Sequence, residues 1–327
     1  MRYLSIAVIG CIFILCRQVL DAQQPIPQDT TFNVCRVYRQ IKKEFPFAVP
    51  SKDIVPKNVK AVRNIIYATL PNTPFGKRYL HLDVFYPKKS GKYPALIMVH
   101  GGGWRSGTRS LQVPMAEMIA KKGFVTVSVE YQLSLEAKYP AAVYNIKAAI
   151  RWMRAHAKEY HIDPTRIAIS GCSSGGQLAM LVGMTNGERK FEGNMGNPQY
   201  SSSVQAIIDV DGVVDFLAPG SLNLKREPDS PDVFWLGGSF DQKPEIWKDA
   251  SSVFWTNKNS VPVLFLNSGF PRFHAGQDEL IGMMQRWRIY TEVHRFNVHM
   301  HPFWLFYPWV DPTVNYMAKF LDKILKR

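Results

Sequence analysis

The chain has 327 residues, 46% hydrophobic and 20% charged, enough for one or two domains around a sizeable core. That balance excludes a disordered chain, a coiled coil and a collagen-like repeat. Lysine and arginine outnumber aspartate and glutamate 40 to 26, a net charge of +14. Charge speaks to partners rather than fold, and it leaves nucleic acid, an anionic membrane and an acidic polymer open.

In chain order, a short basic start (Met1-Arg2-Tyr3) precedes an apolar run from Leu4 to Cys16. Thirteen apolar residues are too few for an ordinary membrane span but suit the core of an export signal, with residues 1–22 removed after Ala22. A lipid anchor at Cys11 is the alternative. Cleavage would leave about +13 and two cysteines, Cys35 and Cys172, too few for a disulfide framework. Their pairing stays open. No Asn-x-Ser/Thr sequon occurs, which suits bacterial export, to the periplasm or the medium.

Residues 21–31 read as a mobile polar lead-in and Val34–Phe45 as an accessory helix, so residues 23–58 form an N-terminal extension to a catalytic domain over 59–327. Strands are expected at Val59–Leu70 and Tyr79–Tyr86, a hairpin-like start, then at Ala95–His100, Val125–Glu130, Arg166–Ser170, Val204–Val210, Val261–Asn267 and Thr291–Val298. Amphipathic stretches at Ser110–Lys122, Ala141–Tyr160, Gly175–Thr185, Gln277–Arg288 and Pro312–Lys326 alternate with them. Continuous apolar strands alternating with helices predict an α/β fold, a mostly parallel mixed sheet with helices on both faces. Phe216–Ser252, rich in Gly, Pro, Trp and acidic residues, reads as an insertion over one end of that sheet.

Two motifs carry chemistry. Gly171-Cys172-Ser173-Ser174-Gly175-Gly176 follows a strand and opens a helix, which sets Ser173 on a tight turn with a helix N-terminus aimed at the reacting oxygen. His100-Gly101-Gly102-Gly103-Trp104 ends another strand, and its glycines let backbone N–H groups face inward as oxyanion donors. No metal-ligand spacing, phosphate loop or dinucleotide fingerprint is present, so no cofactor is expected. No nucleic-acid module or basic cluster accompanies the charge.

From about Tyr79 to the C-terminus, these two motifs resemble those of the α/β-hydrolase esterases. The resemblance implies Ser173 as nucleophile and the N–H groups of Ser174 and of Gly102 or Gly103 as the oxyanion hole. It also implies an acid followed by a late histidine. His301, in His301-Pro302-Phe303-Trp304, is expected as the base, with His299 the alternative. The acid usually follows the strand that is here Val261–Asn267, where no carboxylate occurs before Asp278. Asp278 is therefore expected, with Asp211, Asp215 or no acid as alternatives.

The stretches Ile169–Ala179, Arg272–Glu279 and His301–Trp309 further resemble those of secreted bacterial carbohydrate esterases. This implies a pectin methylesterase or acetylesterase acting on plant cell-wall polysaccharide. A basic surface would concentrate an acidic polysaccharide or oligosaccharide such as galacturonate. Arg105, Arg272 and His274 are candidates to bind its carboxylates, and Trp104, Trp304 and Trp309 to form sugar-stacking walls. A small-acyl carboxylesterase and a non-catalytic binding protein are the rival readings.

Overall fold

The computed structural model describes residues 25–326, so the export signal and Cys11 lie outside the described residues. The hairpin is formed by β1 (Val59–Thr73) and β2 (Gly76–Pro87). It is followed by β3 (Tyr93–Val99), β4 (Val125–Val129), β5 (Ile162–Cys172), β6 (Ala206–Val210), β7 (Val263–Asn267) and β8 (Thr291–Arg295). These eight strands form one sheet in the order β1-β2-β4-β3-β5-β6-β7-β8. Pairs β1–β2 and β2–β4 are antiparallel, and every other neighbouring pair is parallel. This is the mixed sheet of the α/β-hydrolase fold.

Six longer helices accompany it: α1 (Val34–Ile41), α2 (Val113–Lys121), α3 (Ala141–Ala155), α4 (Ser174–Met184), α5 (Gln277–Arg286) and α6 (Val310–Leu325). Alternation along each strand divides the core in two. Ile97 and Val99, Ile167 and Ile169, Ile207, and Val263 and Phe265 point to the side of α3, α4 and α5. Leu96 and Met98, Ala168, Ile208 and Val210, and Leu264 and Leu266 point to the side of α2 and α6. Both faces are covered, which is why these strands read as continuous apolar runs.

The strand ends converge on one edge of the sheet. There the segment expected as an insertion folds into three short helices, Pro219–Leu222, Pro231–Leu236 and Pro244–Asp249, with Trp235 and Trp247 buried beneath it. The lead-in departs from the mobile tail expected. Asp29 bridges Ser106 through the backbone and pairs with Arg105 at 3.1 Å, tying the lead-in to the loop after β3. No helix among the described residues is long and apolar enough to cross a membrane.

Candidate active site

Ser173 sits on the turn between β5 and α4 with φ +58°, ψ −124°, a strained conformation costing a non-glycine residue about 1–3 kcal/mol. Its N–H donates to Val210 O at 2.8 Å and its carbonyl accepts from Gln177 N at 3.0 Å, so both neighbours hold the turn. The flanking glycines are required by space. A Cβ on Gly171 would stand 1.8 Å from Gly175 O, and one on Gly175 would stand 2.3 Å from Val99 O. The turn can be this tight only without side chains there.

The Ser173 hydroxyl donates to His301 Nε2 at 2.7 Å, and His301 Nδ1 donates to Asp211 Oδ2 at 2.9 Å. His301 comes from the loop between β8 and α6. Phe273 stacks on its ring with centroids 3.5 Å apart, and Trp304 packs edge-on at 5.2 Å. Asp211 is the first residue after β6, with φ +53°. Its Oδ1 accepts from Ser268 N at 2.7 Å. Such a relay is the arrangement a general base needs to take a hydroxyl proton.

The electrostatics fit that relay. Burial pushes the Asp211 carboxyl up, but His274, His301 and the Ser268 side chain together hold it below the usual range, so it stays ionised. Burial pulls His301 below its ordinary value against the opposing pull of Asp211, so the imidazole rests neutral. His100, beneath the glycine loop, is pulled by burial to about 4 while its Nδ1 donates to Gly101 O at 2.9 Å. It is a neutral structural group.

The carboxylate on His301 is therefore Asp211, and not Asp278 as expected. Asp278 stands exposed in the first turn of α5, where a carboxylate suits the helix dipole. Asp215 is turned into its own loop, its Oδ1 accepting from Leu217 N, and His299 is exposed. Asp211 is one of the alternatives the sequence offers, as the residue that directly follows a buried strand. Its approach to His301 depends on how β6 and β7 lie side by side, which spacing along the chain does not record.

A pocket of about 290 Å³ opens over Ser173. Gly103, Ser174, Trp104, Phe216 and Phe273 are among its walls. Gly102 lies one residue back, its carbonyl accepting from Ser106 N. Trp104 lines the pocket but is 8% exposed, its Nε1 donating to Gln177 Oε1 and its ring stacked 4.8 Å from Trp235. It is a wall rather than a free platform.

Four other expected substrate contacts are corrected. Trp304 is 1% exposed and supports His301 from the core. Trp309 packs against Phe45 and Phe47, away from the pocket. Arg105 pairs with Asp29 and lies over Phe234, outside the pocket lining. His274 faces Asp211, its Nε2 3.4 Å from Oδ1. Arg272 does line the pocket, its guanidinium 4.5 Å over Phe273.

The two cysteines among the described residues are both free, Cys35 exposed and Cys172 buried beside Ser173. Burial drives the Cys172 thiol far up, and its sulfhydryl donates to Gln112 Oε1 at 3.8 Å. No cluster of three or more metal-ligating side chains occurs among the described residues.

The family model BD-FAE matches residues 82–291, well over half of the chain, from β2 to the start of β8. The chain belongs to the BD-FAE family. Esterase LipC of Mycobacterium tuberculosis is 30% identical over 190 residues, covering 57% of this BD-FAE chain and 47% of that protein. An arylesterase of Saccharolobus solfataricus is 28% identical over 142 residues, covering 40% of the chain and 46% of that enzyme. The BD-FAE chain thus spans about half the length of these curated relatives. Among solved structures, a truncated carbohydrate esterase from gut microbiota superposes with a TM-score of 0.71 at 22% identity. The match covers 85% of this chain and 99% of that one, and at that identity it establishes the fold.

Proposed function

We propose that this chain is an exported serine esterase acting on plant cell-wall polysaccharide, foremost on methyl esters of galacturonate. Ser173 Oγ attacks the ester carbonyl while its proton passes to His301 Nε2, and Asp211 stabilises the imidazolium. The N–H groups of Ser174 and of Gly102 or Gly103 receive the developing oxyanion. The intermediate collapses, the C–O bond to the alcohol breaks, and the alcohol takes the proton from His301. Water, deprotonated by His301, then attacks the acyl-serine and releases the carboxylate and Ser173.

The observation that carries the polymer assignment is Arg272. Of the cations lining the pocket, Arg226 is committed to Asp232 at 2.7 Å and Lys225 lies 3.5 Å from Glu227. Arg272 has its cation–π contact but no ion pair among the described residues, which leaves its guanidinium free for a carboxylate beside the scissile ester. Pectin presents such carboxylates along its chain. The carbohydrate-esterase likeness supports the same direction.

Two other readings have support. The pocket's apolar wall (Trp104, Val213, Leu224, Phe273) suits small acyl groups, as does the likeness to curated esterases. Acetyl esters on pectin or xylan would enter the same pocket. Incubation with methylated pectin, with acetylated pectin or xylan, and with p-nitrophenyl acetate separates the three. Methanol release by the wild type and none by Ser173→Ala is expected. Arg272→Ala should lower kcat/KM on pectin about tenfold and leave the aryl ester within about twofold. Acetate without methanol, or turnover of the aryl ester alone, overturns the methylesterase assignment.

A further inference from the structure

The loop from Ser268 to Gln277 meets the site with three consecutive side chains. Arg272 faces the pocket, Phe273 covers one face of His301, and His274 turns behind to Asp211. The sequence grouped His274 with substrate contacts, but it is absent from the pocket lining and its side chain is 18% exposed.

The backbone around His274 is fixed. Ala275 O accepts from Val214 N at 3.1 Å and from Asp215 N at 3.0 Å, which clips this loop to the one carrying Asp211. A Cβ on Gly276 would fall 2.3 Å from Asp215 Cβ, so the loops touch with no side chain between them. Ser268, in the same loop, donates its N–H to Asp211 Oδ1, the oxygen that His274 also faces.

We propose that His274 is a positioning residue for Asp211, an inference that rests on the esterase reading above. Oδ2 bonds to His301, while Oδ1 lies between the Ser268 N–H and His274 Nε2. Rotation of the carboxylate would then break contacts on both oxygens, and Oδ2 stays aligned on Nδ1 as the imidazolium forms. The 3.4 Å separation is longer than a finished hydrogen bond, and Nε2 is buried with no other hydrogen-bond partner among the described residues. The position is instructive, since the loop after β7 is where the resemblance led the acid itself to be sought. Here that loop supplies a histidine to an acid that stands after β6.

Steady-state kinetics on p-nitrophenyl acetate, with a thermal melt of each variant, test this. His274→Phe keeps a planar ring without a donor, and His274→Gln returns an amide N–H near the place of Nε2. The Phe variant should lose about 10- to 100-fold in kcat with KM within about twofold, and the Gln variant should recover to within about fivefold of wild type. If His274 acts through Asp211, adding His274→Phe to Asp211→Asn should cost no further activity. Unchanged kcat in the Phe variant overturns the inference. So does a raised KM with kcat intact, which marks a substrate contact, and so does an additive double variant. Should His274→Phe not fold, His274→Ala takes its place under the same criteria. A wild type with no turnover and no fluorophosphonate labelling of Ser173 fails the esterase reading, and the inference with it. Normal wild-type turnover with an indifferent His274 fails the inference alone.

Discussion

His301 spans a hydroxyl and a carboxylate, with Phe273 over one ring face and Trp304 against its edge, so both of its nitrogens are aimed. Asp211→Asn would leave the shape and remove the charge that stabilises the imidazolium. Its kcat should fall by about 10³–10⁴, whereas Asp278→Asn should stay within about twofold, both read on an aryl ester. The base works only when neutral, and burial outweighs Asp211 in setting the His301 pKa, so the acid limb of kcat/KM should fall below the ordinary imidazole value of about 6.5. A pH–rate profile with its limb above that value would contradict the stated balance. Ser173 and His301 were legible because each lies in a short motif whose spacing reflects local geometry. Asp211 stood only among the alternatives and His274 among the substrate contacts, because their places depend on contacts between loops after different strands.

Elements were easier to read than directions. Every main strand has an apolar period that survives in the sequence, and all eight form where expected, with ends moved by a few residues. Aromatic residues carry no such directional signal. Trp304 and Trp104 each end a motif that carries a site residue, yet one supports His301 from the core and the other closes the pocket by stacking on Trp235. Trp235 belongs to the segment between β6 and β7, which sequence patterning marked as an insertion without showing that its short helices rest on the glycine loop. Pro231 of that segment lies against Gly103. Trp235→Ala should therefore cost about 3–5 kcal/mol in a denaturant melt and, by releasing Trp104, raise KM more than it lowers kcat.

For the molecule as a whole, the net charge of +14 implies, under the proposed function, steering of a polyanion by long-range field. Raising ionic strength from 50 to 500 mM should lower kcat/KM on pectin by about three- to tenfold and leave a neutral aryl ester nearly flat. Equal salt response on both substrates would remove steering from the account. A second global property follows from the thiol that precedes the nucleophile. Cys172 is packed on the α2 and α6 side of the sheet, deprotonates far above neutral pH and is 2% exposed, while Cys35 is open to solvent. Alkylating agents such as iodoacetamide should meet Cys35 and pass Cys172 by, because it is the thiolate that reacts and an accessible one is required. Catalysis would then be immune to reagents that silence cysteine hydrolases yet vulnerable to organophosphates, an inhibitor fingerprint set by which way a single side chain points from the end of β5.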